Sequence, residues 1–539
     1  MRSPRIVGLP KLLIALALLA TVDVTVGLAQ QADHPGKPVY DRWCAECHGV
    51  DGTGNGSAAA YMLPRPRDFV QARYQVRTTR SGSLPTDADI LHVINVGMPG
   101  TAMPGWRAAL TQAERNNLVA YLKTFSRFFE TDQPQLLELG RAQGGGAAAV
   151  EAGGQKYQEL ECWKCHGRTG RGDGESAPTQ EDDNGFPIRP ADLSQPWLFN
   201  AGGTVEDIYR TLRTGLDGTP MPSLTDALEG DIVSDTDLWN IAHYVRSLTP
   251  EDPALREVIE APRIEGALPA SPDDSAWNAV PRVWIPLIGQ IIVSPRWFSP
   301  AVTGVWVQAA HDGTDLVMRV AWSDRSNSPD PVWAEWRNRV TEVMEPKEGD
   351  VAAAGPAPDP DTAAMAVPAS PDRIAVWFPR SMPTGMERPY FFMGSTRSPV
   401  YLWQWESRGQ VREMSGRGPA LMEPLQASNG LTGSATFQDG EWRVAFRRAL
   451  AATDSAAAIS FPAGQPVPVA FFAWDGDNGE YGTRGSVSSW YFVQLTEPAP
   501  ASTYATPLIA TLLTAGLGIL AVGRAQRRER TKNGARSER

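Results

Sequence analysis

The sequence predicts a multidomain protein: two all-α domains, followed by an all-β sandwich and one C-terminal transmembrane helix. Three observations predict this fold class. A motif of two cysteines and a histidine occurs twice, among stretches with helical periodicity. From about residue 264 onward, apolar residues rich in tryptophan alternate with polar ones, as they do in strands. Near the end of the 539 residues, an apolar run without any charge is long enough to cross a bilayer.

The first element is a secretory signal peptide, predicted at residues 1–29. A basic start precedes an apolar run, and small residues at Gly27 and Ala29 suit cleavage after Ala29. An N-terminal membrane anchor is the alternative, which the short apolar run and Asp23 near its end disfavour. The rest of the chain is therefore expected to be exported.

Two copies of the pattern CxxCH follow, in "WCAECHGVDGTGNG" at 43–56 and "ECWKCHGRTGRGDG" at 161–174. This pattern is typical of covalent c-type haem attachment, in which both thiols form thioethers and the next imidazole binds the iron. All four cysteines of the chain belong to these motifs, so none is left for a structural disulfide. A zinc site or a thioredoxin-like dithiol is the alternative. The candidate haem-binding residues are Cys44, Cys47, His48, Cys162, Cys165 and His166.

Each half also offers a methionine as the second axial ligand, which is the usual choice where a raised potential is wanted. "GMPGTAMPGW" and "GLDGTPMPSL" place Met103 and Met221 each 55 residues after the histidine of its motif. Met98 competes in the first half, but its counterpart is Leu216, so the repeat favours Met103. Buried methionine is often only core filler. Here the shared spacing and the Gly-Thr-x-Met-Pro context favour ligation.

The two motifs belong to a duplicated domain, with one copy predicted at residues 30–135 and the other at 148–252. Shifting the first copy by 118 residues superposes its Asp-Ile pair and its Gly-Thr-x-Met-Pro stretch on their counterparts. Each copy is expected to be a small helical unit, because four segments show the apolar spacing of amphipathic helices. These segments are "DADILHVINVG", "TQAERNNLVAYLKTF", "TVEDIYRTLRTG" and "SDTDLWNIAHYVRSL".

This arrangement resembles the class I cytochrome c family, over roughly residues 36–130 and 148–250. The resemblance implies a three-helix fold around a covalently bound haem in each copy. It also implies that a protein ligand closes each face of each iron, which favours electron transfer over catalysis because no position is free for a substrate. The implied ligand pairs are His48 with Met103 and His166 with Met221.

A β-sandwich is predicted at residues 264–496, where helical periodicity fades. "TGVWVQAAHDGTDLVMRVAW" and "SATFQDGEWRVAFRR" are typical of β-hairpins, with turns predicted at His311–Gly313 and Asp439–Gly440. We expect His311 to be exposed in its turn. The Pro- and Ala-rich residues 345–370 are expected to form a disordered insertion.

Thirteen of the eighteen tryptophans lie in this region, where they are expected in the core, in a sugar-stacking surface or around a flat cofactor. The succession "DDSAWNAVPRVWIPL", "FFMGSTRSPVYLWQW", "DGEWRVAFRRAL" and "VPVAFFAWDG" resembles the haem-binding gamma subunit of ethylbenzene dehydrogenase and related type II enzymes of the dimethyl sulfoxide reductase family. The resemblance implies one non-covalent b haem held by a methionine, here Met393, and a lysine. The chain has Arg484 where the family has the lysine, and arginine has no free lone pair for iron.

The last elements are a transmembrane helix predicted at residues 503–523 and a basic tail at 524–539. The tail holds seven Lys or Arg against two acids, which predicts a cytoplasmic tail and a body on the periplasmic side of the inner membrane. The net charge of the chain is −11, and without the +2 of the signal and the +5 of the tail the body carries −18. A body so acidic is not expected to bind nucleic acid.

Together these features predict a membrane-anchored periplasmic electron-transfer protein with two covalent c haems and, where the sandwich keeps its cofactor, a b haem. The gamma-subunit resemblance implies partner subunits that carry molybdopterin and iron-sulfur clusters. The electron exchange partner is expected to be a soluble cytochrome or a membrane carrier. Two other classes stay open: a dihaem enzyme such as a peroxidase or a sulfur-compound dehydrogenase, and a dihaem cytochrome with a carbohydrate-binding sandwich.

Overall fold

The predicted fold class is confirmed by the computed structural model, which has a helical first half, a β-rich second half and one long C-terminal helix. The predicted signal peptide lies outside the described residues, as does most of the predicted insertion. The structure describes residues 34–249, 252–254, 256–344, 368–383, 393–418, 421–426, 428–497 and 502–537.

The first helical domain contains two helices that begin with reciprocal capping. Thr86 and Asp89 form a capping box at the start of one, and Thr111 and Glu114 form the same box at the start of the other. These boxes satisfy backbone N–H groups that have no partner within the helix. The helices are α1 (Lys37–Trp43), α2 (Ala45–His48), α3 (Asp87–Val96), α4 (Gln112–Lys123) and α5 (Phe128–Thr131), with a 3₁₀ turn at Ala59–Tyr61.

The second helical domain repeats this plan. Thr204 with Asp207 and Ser234 with Asp237 form capping boxes at the starts of its two corresponding helices. All four helices predicted from periodicity are present within two residues of the expected bounds. The helices are α6 (Ala147–Glu159), α7 (Trp163–His166), α8 (Val205–Thr214), α9 (Thr225–Glu229) and α10 (Asp235–Ser247), with 3₁₀ turns at Ala177–Thr179 and Pro196–Leu198.

In each domain a glycine at the first helix lies against the helix that begins with the second capping box. A Cβ atom on Gly36 would lie 2.2 Å from the carbonyl oxygen of Asn117, and one on Gly153 would lie 2.0 Å from that of Asn240. Real side chains are not found so close, so only glycine permits this approach of backbone to backbone. The same close approach of a glycine to a helix backbone in both domains supports the duplication inferred from the sequence.

The β-rich half is a sandwich of a five-stranded and a nine-stranded sheet, which confirms the predicted all-β region. The smaller sheet has the order β10-β11-β5-β4-β2, and the larger has the order β1-β14-β12-β6-β7-β8-β9 with β3 and β13 attached. Strands are β1 (Val258–Pro262), β2 (Val283–Pro286), β3 (Ile288–Gly289), β4 (Gly304–His311), β5 (Asp315–Ser323), β6 (Arg373–Pro379), β7 (Val400–Glu406), β8 (Gln410–Gly416), β9 (Met422–Pro424), β10 (Thr432–Gln438), β11 (Glu441–Ala449), β12 (Val467–Trp474), β13 (Ser486–Val487) and β14 (Tyr491–Thr496).

Both predicted hairpins form. Strands β10 and β11 are joined by Asp439 and Gly440, which both have positive φ, as the tight two-residue hairpin turn requires. Strands β4 and β5 pair from His311 opposite Leu316, so His311 is the last residue of the strand rather than part of the turn. It is 1% exposed, and the expectation of an exposed histidine was wrong. Strands β1 and β14 cover it. The backbone N–H of Arg263, directly after β1, and the His311 ring are both hydrogen-bonded to the carbonyl oxygen of Thr496, the last residue of β14.

The tryptophans of the sandwich fill its core and its contacts with the helical domains. Twelve of the thirteen are buried, and the other, Trp306, packs against Trp197 of the second helical domain. Strand β12 is buried at every position, so both faces of the larger sheet are covered. The described residues therefore offer no row of exposed tryptophan rings on which a sugar could stack.

The helical domains are held to each other by a buried arginine. Arg77 is 1% exposed and donates to the carbonyl of Thr214 and to the carboxylate of Asp217, each at 2.7 Å. Two other arginines of the first domain, Arg73 and Arg80, form exposed ion pairs across the same boundary. Exposed pairs contribute little, so the buried arginine dominates this contact.

The second helical domain is also fixed to the sandwich. Arg171 donates to the hydroxyl of Ser323 at 2.6 Å and to the carboxylate of Glu441 at 2.9 Å, where β5 ends and β11 begins in the smaller sheet. Arg189 donates to the carbonyl of Pro300 at 2.9 Å. A helix inserted into the sandwich, α11 (Ala334–Met344), packs beside these contacts with its 3₁₀ turn at Pro331–Trp333.

One helix, α12 (Ser502–Ser537), follows the last strand and includes the predicted transmembrane segment. Its portion Ala505–Arg530 contains an 18-residue stretch apolar enough to cross a membrane, with a mean hydropathy of 1.9 and no burial against the rest of the protein. A helix of a soluble domain buries one apolar stripe, whereas here leucines on all sides are exposed. This composition indicates a membrane anchor.

Candidate functional site

The first CxxCH motif lies at the junction of α1 and α2. The His48 ring is 9% exposed, stacks on Phe69 with a centroid distance of 4.5 Å, and its Nδ1 lies 3.0 Å from the carbonyl oxygen of Arg67. That carbonyl can only accept, so Nδ1 carries the proton and Nε2 keeps its lone pair. Burial lowers the pKa of His48, which also keeps the ring neutral. A neutral imidazole oriented in this way is what an iron ligand requires.

The second motif, at the start of α7, has the same geometry. Nδ1 of His166 lies 3.0 Å from the carbonyl oxygen of Ala191. The two residues whose carbonyls orient the histidines, Arg67 and Ala191, directly follow Pro66 and Pro190. The proline carbonyls instead face Gly54 and Gly172, where a Cβ atom would lie 2.6 and 2.7 Å away. The glycines after each motif are therefore needed for this close approach.

The four cysteines are half-buried, and none is disulfide-bonded. Burial raises the pKa of Cys44 to about 12 and that of Cys162 to about 11. A thioredoxin-like dithiol needs a lowered thiol pKa, because the thiolate is the reactive form. The thiols therefore do not fit the redox alternative, whereas two thiols beside an oriented imidazole fit covalent haem.

The two candidate methionines lie in matching loops. The backbone N–H of Met103 donates to the hydroxyl of Thr101 at 3.1 Å, and that of Met221 donates to the hydroxyl of Thr219 at 3.2 Å. Each threonine hydroxyl donates in turn to a carbonyl, that of Met98 or of Leu216, at 2.7 Å. The same pair of hydrogen bonds therefore fixes the methionine backbone in both domains. Both methionine side chains are partly exposed.

Met393 lies on the face of the larger sheet that points away from the smaller one. It is fully buried, has a φ of +50°, and packs in an apolar cluster with Trp377, Trp474 and Trp490. The indole N–H of Trp490 is buried there without a hydrogen-bond partner among the described residues. A buried thioether among aromatic rings fits one axial ligand of a b haem.

The second ligand of that haem is not evident in the described residues. Residues 368–497 include no lysine, and Lys347 lies outside the described part of the chain. Arg484 lies over the rings of Trp297 and Tyr481, with its guanidinium 5.7 and 5.4 Å from the ring centroids. Guanidinium groups stack on aromatic rings as cations. Arg484 therefore has a packing role in this structure.

A buried acidic cluster is the feature that sequence reasoning missed. Carboxylate atoms of Asp324, Asp372 and Asp475 lie within 4.8 Å of one another, and Glu480 is buried nearby. Tryptophan and backbone N–H groups donate to them, such as the indole of Trp442 to Asp372 at 3.1 Å. Burial raises the pKa of all four carboxyl groups. Asp324, Asp372 and the segment with Asp475 and Glu480 are far apart in the sequence, so no local motif predicted the cluster.

Three family descriptions match the chain. "Cytochrome C oxidase, cbb3-type, subunit III" matches residues 31–122, "Cytochrome c" matches 150–249 and "Ethylbenzene dehydrogenase" matches 274–430. The chain joins two cytochrome c domains to an ethylbenzene dehydrogenase-type domain. Both resemblances drawn from the sequence are therefore confirmed. Cytochrome c domains bind haem covalently, so the protein carries c haem, and its third domain fits a b haem.

Relatives of this cytochrome belong to reductases. A Haloferax mediterranei protein named "Putative respiratory nitrate reductase heme subunit ORF7" is 29% identical over 266 residues, which cover 49% of this chain and 82% of that protein. "Chlorate reductase subunit gamma" of Ideonella dechloratans is 23% identical over 244 residues, covering 44% of this chain and 85% of that one. A chain of the "reducing HAO-like protein complex" of Kuenenia stuttgartiensis is 45% identical, with a TM-score of 0.38, over 40% of this chain and 96% of its own. The predicted class, an electron-transfer cytochrome subunit of a redox complex, agrees with the family matches and the two named reductase relatives.

Proposed function

We propose that this protein is the membrane-anchored cytochrome subunit that passes electrons between a molybdenum oxidoreductase and a respiratory carrier. The two relatives named for nitrate and chlorate reductases support a reductase partner. The partner subunits would carry the molybdopterin and the iron-sulfur clusters, and the carrier would be a soluble cytochrome or a membrane molecule. A bound haem supplies one-electron chemistry, and the protein holds the haem and keeps other ligands away from its iron.

The observation that carries this proposal is the repeated pair of loops in the two cytochrome domains. His48 and His166 are oriented by a backbone carbonyl at 3.0 Å, and Met103 and Met221 are fixed by the same threonine-closed loop. We assign these four residues as the axial ligands and the four cysteines as the attachment points. An iron held by these residues would have one nitrogen and one sulfur ligand from the protein, so neither domain would keep the open position that a dihaem enzyme needs for substrate.

The domain contacts suit a chain that must keep redox centres at constant distances. The buried Arg77 joins the two cytochrome domains, and Arg171 joins the second one to the sandwich. Hydrogen bonds to charged groups are stronger than neutral ones, particularly when partly buried. We assign Met393 as one ligand of a b haem in the sandwich, which is then linked to the c haems through the rigid second domain.

The location follows from both ends of the chain. The predicted signal peptide at residues 1–29 would export the body, and α12 would hold it at the membrane. The seven basic residues after the apolar segment would keep the tail in the cytoplasm. The acidic body then lies on the periplasmic side, where haem attachment to CxxCH and an external carrier are both available.

Carbon monoxide binding tests the electron-transfer assignment. Carbon monoxide binds ferrous haem only where an axial position is open, so the reduced wild-type c haems should show no spectral change with the gas. Met221→Ala should open one position and produce a carbon monoxide spectrum for one haem, while Met98→Ala, the matched control, should not. Carbon monoxide binding to the wild-type c haems would contradict sealed irons and favour an enzyme.

A further inference from the structure

A cavity of about 630 Å³ opens at the end of the sandwich where the last strand leaves for the C-terminal helix. Its wall is more apolar than polar and carries the charged side chains of Arg263, Arg380 and Glu497 at the same end. Its size is within the roughly 300–1,000 Å³ of small-molecule sites. Met393 is not part of it, so this cavity is separate from the candidate b haem site. The apolar side chains of its wall include Met382, Leu450, Ile459, Phe461 and Leu495.

One polar atom in this wall lacks a partner. His311 is 1% exposed, and its Nε2 lies 3.3 Å from the carbonyl oxygen of Thr496. A carbonyl only accepts, so Nε2 carries a proton, and in the tautomer that this contact selects Nδ1 is an acceptor. Nδ1 is buried without a hydrogen-bond partner among the described residues. A buried acceptor left unpaired is unfavourable, so a ligand whose O–H group donates to this atom would stabilise the site.

The cavity lies close to the membrane along the chain. Leu495 and Glu497 line it, and α12 begins at Ser502. Five peptide units separate Glu497 from that helix, and they span at most about 18 Å when fully extended. A molecule dissolved in the outer part of the bilayer would therefore meet this end of the sandwich first.

A row of aromatic side chains connects the cavity to the second cytochrome domain. Phe461 in the cavity wall lies 5.8 Å from Trp403, centroid to centroid. Trp405 is two residues further along the same strand and on the same face, and it lies 4.7 Å from Trp442. Trp442 belongs to the hairpin strand whose neighbouring Glu441 pairs with Arg171. Aromatic side chains thus lead from the cavity to the strand that contacts the second cytochrome domain.

We propose that this cavity binds the hydroquinone ring of a membrane quinol, with one ring hydroxyl donating to Nδ1 of His311. The apolar wall takes the ring and the first part of the isoprenoid tail, and the tail leads towards the bilayer. This inference rests on the proposed function and names the chemical class of its membrane carrier. The binding itself requires neither c haem.

Equilibrium dialysis of the full-length protein in detergent tests the site with two redox-inert probes. The first is 1-naphthol, and the second is 1-methoxynaphthalene, which has the same ring without an O–H donor. The wild type should bind 1-naphthol about tenfold more tightly, because only the phenol satisfies the buried acceptor. His311→Leu should abolish this preference.

A second variant avoids any change in the core. Ala451 lines the cavity and is exposed, so Ala451→Trp should fill it and weaken binding of both probes at least tenfold. Thr453→Trp, exposed in the same loop but outside the wall, is the control and should bind as the wild type does.

Four results would overturn the proposal. Three concern the probes: equal binding of the two by the wild type, a preference that survives in His311→Leu, and unchanged binding in Ala451→Trp. Loss of a b-type pyridine haemochrome in His311→Leu would also overturn it, since the cavity would then hold haem. None of these outcomes affects the carbon monoxide test, so the proposed function and this inference can fail separately.

Discussion

Raising the pH should destabilise the sandwich through its buried acidic cluster. Burial raises the pKa of Asp372 to about 8 and that of Glu480 to about 7, and it raises those of Asp324 and Asp475 as well. In the unfolded chain such groups titrate near pH 4. Between these values the folded protein holds protons that the unfolded chain has released. The stabilisation is therefore complete at low pH and is lost as the pH rises through the folded pKa.

The size of the effect follows from the number of protons. Each group protonated only in the folded state lowers the free energy of unfolding by about 1.4 kcal/mol per pH unit. Asp372 and Glu480 together should therefore lower the free energy of unfolding by about 3 kcal/mol per unit between about pH 5 and 7, and protons held by Asp324 and Asp475 add to that slope. Above about pH 7 Glu480 no longer contributes, so the slope decreases, while Asp372 continues to contribute to about pH 8.

Thermal unfolding of the full-length protein at pH 5, 6, 7 and 8, followed by the circular dichroism of the sandwich, measures this slope. Asp372→Asn removes one titrating group, so the decrease in Tm should become smaller both between pH 5 and 7 and above pH 7. Asp439→Asn, at an exposed turn, is the control and should keep the wild-type slope. A Tm that is constant or rises over this range would refute the reasoning, as would strong stabilisation by added calcium, because a cation would then neutralise the cluster.

Two further substitutions test the packing. Gly153→Val should prevent the second cytochrome domain from folding, because its Cβ would lie 2.0 Å from the carbonyl of Asn240. Haem staining should then show about half the wild-type content, and Gly144→Ala, with open space around its Cβ, should show all of it. Arg171→Met should remove side-chain hydrogen bonds worth about 1–3 kcal/mol and increase hydrogen exchange in the hairpin Thr432–Ala449. Unchanged exchange there would contradict the assigned interface.

The residues that we propose to bind haem could be selected from the sequence because their signal is local and repeated. CxxCH fixes three residues in one turn, and a shift of 118 residues selects Met103 over Met98 without any structure. The starts of four helices were equally predictable from the sequence, because Thr86 and its three counterparts form a capping box at the first turn. Where the pattern and the chemistry lie in one short stretch, the sequence is sufficient.

Features assembled from distant segments were not predictable. His311 precedes Asp-Gly and reads as a turn residue, and only the arrival of β1 and β14 buries it. Asp475 lies in "WDGDNG", which has the composition of a surface loop, yet it meets Asp324 and Asp372 in the interior. Tertiary contacts reverse the exposure that local composition predicts, because burial depends on what packs over a residue from elsewhere in the chain.

The intact mass of the purified, denatured polypeptide tests the central claim most directly. Covalent attachment at two thiol pairs predicts a mass increment of two haem groups over the processed chain, and of one haem when Cys162 and Cys165 are both replaced by serine. An increment of fewer than two haems in the wild type, or no change in the double variant, would contradict the assignment of both motifs as haem attachment sites.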